Sequence, residues 1–411
     1  DFCLLDPRGE LLGSPYHYRD SRTDGMVEKA TAILPAARIF EQTGIQFMQI
    51  NTLFQLFSMV QGNAPEMELA ETLLTIPDLF NFWFTGRKMC EFTIATTPQC
   101  FNPTRRNWAW DVLDALQIPR RIFPPLIPPG TVLGPVQPVI ARELGFTAPC
   151  KVQVIAPACH DTGSAVAAIP ADTPDYAWIS SGTWSVMGTN VDEPVIDDRS
   201  LQFNFTNEGG VGGVYRFSKN IMGLWLVQEC RRTWASAGEE RSYTELTEMA
   251  ADASPLVSIV DPDDPAFLQP GDMPERIRAY CRRTNQPVPE EKGALVRAAL
   301  EGIALKYRWV LERLEEMTGK RLDPIHIVGG GTQNRLLSQF TANSTGRRVV
   351  TGPVEATAAG NVLTQALALG HIASPADCTR IIRDSFDVDV FEPGDTAPWE
   401  AAYQHLLRLM E

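Results

Sequence analysis

The sequence predicts an α/β fold with two domains, and three observations support this prediction. Apolar strand-like runs alternate with helical patterns along the chain, without repeats or low-complexity tracts. The length of 411 residues exceeds the size at which one hydrophobic core stops growing. A hydrophobic fraction of 44% with 21% charged residues is typical of a globular chain that buries its cores without disulfides or metals.

One strand near the start and one long helix are the clearest single elements. Residues 1–10 form an apolar run followed by Pro and Gly, which predicts a strand that leads into a turn. Between residues 290 and 318 apolar side chains recur every three or four positions and Gly319 follows, as in a helix that ends at a glycine. We expect the following apolar stripe in the core: Val296, Leu300, Ile303, Tyr307, Val310 and Leu314.

The elements after this helix predict one compact α/β domain. In chain order they are a strand at 325–328, a glycine turn at 329–331, a helix through Leu336, Leu337 and Phe340, a strand at 348–350, and a helix over 355–369 capped by Gly370. Glycines between a strand and a helix let a ligand such as a nucleotide approach the backbone, although a plain tight turn is the more frequent explanation of such a triplet. The spacing G-x-G-x-x-G and a Walker A loop are both absent from the sequence, so a dinucleotide oxidoreductase is the weaker hypothesis.

Charge and cysteine usage exclude several classes of partner. The formal net charge of −14 argues against a nucleic-acid or anionic-membrane surface, which would need clustered Lys and Arg. The eight cysteines are scattered, without a C-x-x-C pair or a histidine at metal-ligand spacing, which favours a reducing, cytoplasmic setting. No run of eighteen apolar residues predicts a membrane span. A small-molecule substrate fits these properties best.

Two short segments, 159–164 and 180–185, contain the residues most suited to chemistry. The first has the sequence Cys-His-Asp-Thr-Gly-Ser, in which Asp161 stands beside small residues and can accept the proton of an alcohol. The second, Ser-Ser-Gly-Thr-Trp-Ser, offers backbone N–H groups and hydroxyls to anionic oxygens. Together they indicate phosphoryl transfer to a hydroxyl group.

The chain resembles the FGGY family of carbohydrate kinases, and among them the rhamnulokinases. The resemblance extends over nearly the whole sequence. The segments that carry it are 17–20, 22–26, 43–47, 76–79, 178–188, 207–210, 219–225, 326–334 and 352–357.

The resemblance implies two actin-like domains of the ribonuclease H type, with a cleft between them. It assigns residues 1–169 to a sugar-binding N-terminal domain and 170–411 to a nucleotide-binding C-terminal domain. The implied reaction uses ATP with Mg²⁺ to convert a ketose, L-rhamnulose, into its 1-phosphate. Fuculose and xylulose are alternative substrates, and a catalytically silent sugar or nucleotide sensor and an actin-type ATPase are alternative functions.

The same resemblance implies roles for individual residues. Asp161 is expected to be the general base, with His160, Thr162 and Asn220 on the sugar. The residues expected on the nucleotide side are Thr183, Gln228, Gly330 and Gly331. No side chains form a dedicated metal site in this scheme, so Mg²⁺ is expected on the ATP phosphates.

Simpler structural roles remain open for three of these residues. An Asp before a small-residue helix commonly caps it, so Asp161 could be an N-cap. A single histidine such as His160 is more often structural than a ligand. Asn220 could cap a helix that begins at Ile221.

The opening strand and first phosphate loop of the family pattern have no counterpart before Asp1. We therefore expect that the sequence is a piece of a longer enzyme and that its N-terminal domain is incomplete. As partners we expect a small ketose and ATP, with neither nucleic acid nor membrane, in a monomer or a homodimer.

Overall fold

The computed structural model describes residues 1–146 and 150–411, which form two compact units. Unit 1 comprises 1–168, 190–218 and 357–378, and unit 2 comprises 169–189, 219–356 and 379–411. The two later segments of unit 1 belong to the C-terminal half of the sequence. The domain division at residue 169 stays a prediction.

The described residues contain both strands and helices throughout their length. The strands are β1 (Phe2–Leu5), β2 (Thr72–Thr75), β3 (Cys90–Glu91), β4 (Phe101–Asn102), β5 (Asn107–Trp108), β6 (Leu126–Ile127), β7 (Thr131–Pro135), β8 (Gln153–Ala156), β9 (Ala177–Ser181), β10 (Trp184–Val191), β11 (Thr206–Gly209), β12 (Tyr215–Met222), β13 (Ile325–Val328), β14 (Val349–Thr351) and β15 (Asp389–Phe391).

The helices alternate with these strands, as the sequence predicts for an α/β fold. They are α1 (Met26–Ile33), α2 (Ala36–Thr43), α3 (Thr52–Gln61), α4 (Glu66–Leu69), α5 (Ile76–Thr85), α6 (Phe92–Ala95), α7 (Trp110–Ala115), α8 (Pro138–Glu143), α9 (Asp161–Ala167), α10 (Asp198–Gln202), α11 (Trp225–Ser236), α12 (Tyr243–Asp252), α13 (Met273–Arg283), α14 (Lys292–Thr318), α15 (Arg335–Thr345), α16 (Ala356–Ala368), α17 (Pro375–Ser385) and α18 (Ala397–Leu409).

In unit 1, strand β1 confirms the strand expected at the start of the chain. It pairs antiparallel with β2, and all residues of both strands are buried. Residues 52–57 of α3 are also buried. Those of them that belong to the main apolar core of this unit are Leu53, Phe54, Leu56 and Phe57. Strand β8 pairs with β7 and leads, through residues 157–160, into the short helix α9. The unit thereby anchors the segment that contains Asp161.

Helices α9 and α16 pack very closely within unit 1. A Cβ atom on Gly360 would lie 1.8 Å from the backbone oxygen of Ser164, so only glycine permits this approach. The contact joins two segments that are far apart in sequence and fixes α9 from one side.

A seven-stranded sheet, mainly in unit 2, has the order β11-β12-β10-β9-β13-β14-β15. Strand β13 is parallel to both β9 and β14, which is typical of strands joined by helical connections. The 27-residue helix α14 buries the predicted apolar stripe and ends at Gly319 with φ 69°. Strand β13 has the predicted bounds, whereas β14 begins and ends one residue later than expected. Helix α16 begins at Ala356 and ends at Ala368, one residue inside each predicted end.

Candidate active site

Asp161 is the first residue of α9 and has an accessible carboxylate. Its side chain is 77% exposed, and its Oδ1 accepts the N–H of Thr162 at 2.6 Å. The helix N-cap is His160, so the alternative that Asp161 caps this helix is wrong. Oδ2 accepts no hydrogen bond from the residues that the structure describes. One oxygen is therefore held in place while the other is available to a ligand.

The pKa of Asp161 is lowered. Desolvation raises the pKa of this carboxyl, but nearby His160 and Arg216 and the hydrogen bonds from Thr162 outweigh that effect. The side chain is therefore ionised at neutral pH and can accept a proton from a substrate hydroxyl.

His160 lies beside Asp161, with its Nε2 atom 3.4 Å from Asp161 Oδ1. Its Nδ1 atom is 2.7 Å from Nη2 of Arg216, a fully buried guanidinium that also forms an ion pair with Glu208. Burial and the charge of Arg216 lower the pKa of His160, so the imidazole is neutral. The structure thus brings His160, Asp161 and Thr162 together, as expected from their adjacency.

Sequence reasoning missed Arg216 and Glu208. These residues are direct partners across the antiparallel pair β11 and β12. Glu208 stands in a segment that carries the family resemblance, and Arg216 lies eight positions later on the next strand. Their register in a hairpin was the only signal that could have connected them to the site.

A buried carboxylate, Glu91, supports the backbone before Asp161. Its Oε2 accepts the N–H of Cys159 at 2.9 Å and the hydroxyl of Thr93 at 2.5 Å. The Thr93 hydroxyl oxygen in turn accepts the N–H of His160 at 3.1 Å. Burial raises the pKa of Glu91 to about 7. Sequence reasoning missed this residue too, because nothing near Glu91 in the chain indicates the distant loop that it holds.

Thr183 and Gln228, both expected on the nucleotide side, meet in unit 2. The Thr183 hydroxyl donates to the side-chain carbonyl of Gln228 at 3.0 Å. The Thr183 carbonyl accepts the backbone N–H of Trp225, at the start of α11, at 3.1 Å. These bonds hold the β9–β10 turn against α11 and orient an uncharged polar pair.

The glycine turn after β13 combines one tight contact with one open position. A Cβ atom on Gly331 would lie 2.0 Å from the hydroxyl oxygen of Ser181, at the end of β9. By contrast, nothing lies within 4 Å of the corresponding position on Gly330. Gly331 therefore permits close packing of the turn on β9, while Gly330 leaves its backbone open to a ligand.

Asn220 lies inside strand β12 and is half-buried. The alternative that it caps a helix is therefore wrong, because the chain stays extended through Met222. Asn220 belongs to unit 2, whereas His160, Asp161 and Thr162 belong to unit 1. Its role in sugar binding stays a prediction.

The described part of the chain contains neither a cluster of metal-ligating side chains nor a membrane-spanning helix. Within residues 1–146 and 150–411, no group of three or more His, Cys, Asp or Glu side chains is arranged to hold a metal ion. Over the same part of the chain, no helix has the length and apolarity needed to cross a membrane.

Two family models cover most of the sequence. The N-terminal domain of the FGGY family of carbohydrate kinases matches residues 1–167, and the C-terminal domain of the same family matches residues 177–369.

Three curated relatives that align with most of the chain carry the same name. A rhamnulokinase of Bacteroides thetaiotaomicron is 42% identical over 98% of this chain and 82% of its own length. The rhamnulokinase of Oceanobacillus iheyensis is 39% identical over 94% of this chain and 81% of its own. The rhamnulokinase of Bacillus subtilis is 36% identical over 96% of this chain and 80% of its own length.

Solved structures of sugar kinases share the fold at low identity. A xylulose kinase from Lactobacillus acidophilus matches with a TM-score of 0.80 at 19% identity, covering 99% of this chain and 81% of that one. A Plasmodium falciparum glycerol kinase with ADP matches with a TM-score of 0.77 at 15% identity over the same shares. These structures confirm the two-domain α/β fold class expected from the sequence.

Proposed function

The chain belongs to the FGGY family of carbohydrate kinases, and we propose that it transfers the γ-phosphoryl group of ATP to the 1-hydroxyl of L-rhamnulose. The observation that carries this choice of sugar is the name shared by the curated relatives at 36–42% identity. The alternative ketoses, the silent sensor and the sugar-independent ATPase have no comparable support.

Asp161 is the proposed general base. Thr162 holds Oδ1 at 2.6 Å, and Oδ2 is available to accept the proton of the sugar 1-hydroxyl. As that proton leaves, the hydroxyl oxygen forms a bond to the γ-phosphorus, and the bond to the ADP oxygen breaks. An ordinary carboxylate suffices, because phosphoryl transfer depends mainly on positioning and charge stabilisation. His160, Thr162 and Asn220 are the proposed sugar contacts.

Unit 2 supplies the proposed nucleotide contacts. The hydroxyl of Thr183 donates to the side-chain carbonyl of Gln228 and can donate to a phosphate oxygen instead. The NH2 group of the same Gln228 amide is a second donor for phosphate. Gly330 and Gly331 offer backbone at the end of β13. Mg²⁺ would be held by the ATP phosphates and by waters, since it usually retains several waters and takes few protein ligands.

Three further properties stay proposals. A cytoplasmic location agrees with eight cysteines that are all free in the structure. The acidic net charge of −14 agrees with a chain that does not bind nucleic acid or anionic membranes. The proposed state of assembly is a monomer or a homodimer.

A coupled ADP-release screen of the full-length protein tests the function directly. We expect release with L-rhamnulose well above release with fuculose, xylulose or glycerol. A higher kcat/KM for another ketose would correct the substrate and keep the reaction. ADP release that no sugar stimulates would overturn the kinase assignment, and sugar-dependent thermal shifts without ADP would support the sensor instead.

A further inference from the structure

A buried ion pair lies behind His160 in unit 1. The Arg216 side chain has no exposed surface, and its Nη2 atom is 3.1 Å from Oε2 of Glu208. The Nε atom of Arg216 donates to the backbone oxygen of Gly209 at 2.9 Å. Nη1 is buried without a hydrogen bond to any residue that the structure describes. Such a pair stabilises a fold weakly, because desolvation opposes the attraction of the two charges.

The contact between Arg216 and His160 decides where the imidazole proton lies. A guanidinium only donates hydrogen bonds. Because Nη2 is 2.7 Å from Nδ1, Nδ1 must be the unprotonated acceptor. The other tautomer would direct Nδ1–H at Glu208 Oε2, 3.3 Å away, but would force two N–H groups together across 2.7 Å.

We propose that Arg216 is a positioning residue that holds His160 in the neutral tautomer with its proton on Nε2, and that Glu208 holds Arg216 in place. The Nε2 atom is the one that faces Asp161, at 3.4 Å from Oδ1. The arrangement therefore presents an N–H donor beside the base. Its catalytic meaning rests on the proposed function, whereas the tautomer itself does not.

The proposal gives the ion pair two effects on the base. A neutral His160 places no full positive charge next to Asp161, which limits how far the pKa of that carboxyl is lowered. The fixed tautomer also gives a sugar hydroxyl near Asp161 a donor rather than a second acceptor. The charged groups that face His160 are Arg216 from β12, Glu208 from β11 and Asp161 from α9. Its own pKa is lowered by burial and by Arg216, which agrees with a neutral ring.

Nitrogen NMR on the histidine-labelled, full-length protein tests the tautomer without any substrate. The chain has five histidines, and a His160→Asn spectrum identifies the signals of His160. We expect a protonated Nε2 and an unprotonated Nδ1 for this ring, unchanged between pH 8 and pH 6. A protonated Nδ1, or a doubly protonated ring at pH 7, would overturn the proposal in the wild-type protein alone.

Two variants separate the effect of the Arg216 hydrogen-bond donor from the effect of the Glu208 charge. Glu208→Gln keeps the Arg216 donor, whereas Glu208→Gln/Arg216→Met also removes it without leaving an unpaired buried charge. The amide oxygen that Glu208→Gln retains can still accept from Arg216, so we expect this variant to keep the Nε2–H signature. The double variant should show a mixture of tautomers and begin to protonate His160 as the pH falls toward 6. Identical histidine signals in the two variants would contradict the role of Arg216.

Kinetics then tests the consequence for catalysis. The double variant should lose kcat by up to about 100-fold relative to Glu208→Gln, with an unchanged KM for ATP and an acidic limb of the pH profile shifted upward. Equal kcat and equal pH profiles in the two variants would reduce the pair to a structural role and overturn the proposal. If no ketose stimulates ADP release by the wild-type protein, the proposed function fails. The NMR result still decides the tautomer of His160 in that case.

Discussion

The segment around Asp161 in unit 1 and the Thr183 and glycine turns in unit 2 are built in opposite ways. Around Asp161, charged groups support one another through buried contacts, from Glu91 below the backbone to Arg216 behind the imidazole. Around Thr183 the partners are an amide, backbone groups and glycines. A base needs a controlled proton affinity, whereas polyphosphate needs many donors at close range, and the two regions differ accordingly.

Replacing the base should produce the largest effect. Asp161→Asn keeps the shape and the acceptor for the Thr162 N–H but loses the proton acceptor. We expect kcat to fall by roughly 100- to 10,000-fold with sugar binding retained. Coupled ADP release and calorimetric sugar titration measure the two quantities. Asp192→Asn, an exposed aspartate of the same unit, is the control. Normal turnover of Asp161→Asn would remove Asp161 from the mechanism.

The charged support of unit 1 should make its stability depend on pH. Because burial raises the pKa of Glu91 to about 7 in the folded state, the folded protein binds this proton more tightly than the unfolded chain. The protonated Glu91 stabilises the fold fully below the pKa that this residue has in the unfolded chain. As the pH rises through about 7 the free energy of unfolding loses this contribution, which is roughly 3 kcal/mol at most.

Thermal unfolding from pH 4.5 to 8 checks this linkage. Glu91→Gln should flatten the dependence on pH, although it also lowers stability because one backbone donor of the 159–160 segment loses its acceptor. The control is Glu68→Gln, which changes an exposed carboxylate and should leave the pH dependence of the unfolding temperature as it is in the wild type. If the unfolding temperature of Glu91→Gln changed with pH in parallel with that of the wild type, Glu91 would be ionised over the whole pH range.

In unit 2, adjacent glycines should respond differently to the same methyl group. Gly331→Ala places Cβ 2.0 Å from the Ser181 hydroxyl and should cost about 1–3 kcal/mol of stability through the forced shift. Gly330→Ala meets nothing within 4 Å and should leave the unfolding temperature unchanged while raising the KM for ATP. Equal thermal stability of the two variants would contradict the close packing on β9.

The smallest expected effect concerns the Thr183 hydroxyl. Thr183→Val removes the donor to Gln228 at nearly constant volume, and a hydrogen bond of this kind contributes roughly 0.5–1.5 kcal/mol. We therefore expect the KM for ATP to rise about 3- to 10-fold, and Thr183→Ser to stay close to the wild type. Steady-state kinetics at saturating sugar measures both. A KM for ATP that does not change in Thr183→Val would remove this hydroxyl from the nucleotide site.

Local pattern predicted several elements closely. The apolar period over α14 and the glycine after it determine the face and the end of that helix. The run 325–328 is the strand β13 within its predicted bounds. Asn220 shows the limit of local reasoning: an Asn before an apolar run also occurs at helix starts, and the pairing of strand β12 overrides that tendency here.

The sequence by itself determined the α/β class, the family and the residue types of the site, because these depend on short motifs and periodic burial. Only the tertiary structure decided what holds Asp161 in place. Glu91, Glu208 and Arg216 lie 70, 47 and 55 positions from Asp161, and no local signal links charges so far apart. Their contacts arise when strands and loops pack, since a buried charge must find its partners wherever the fold brings them.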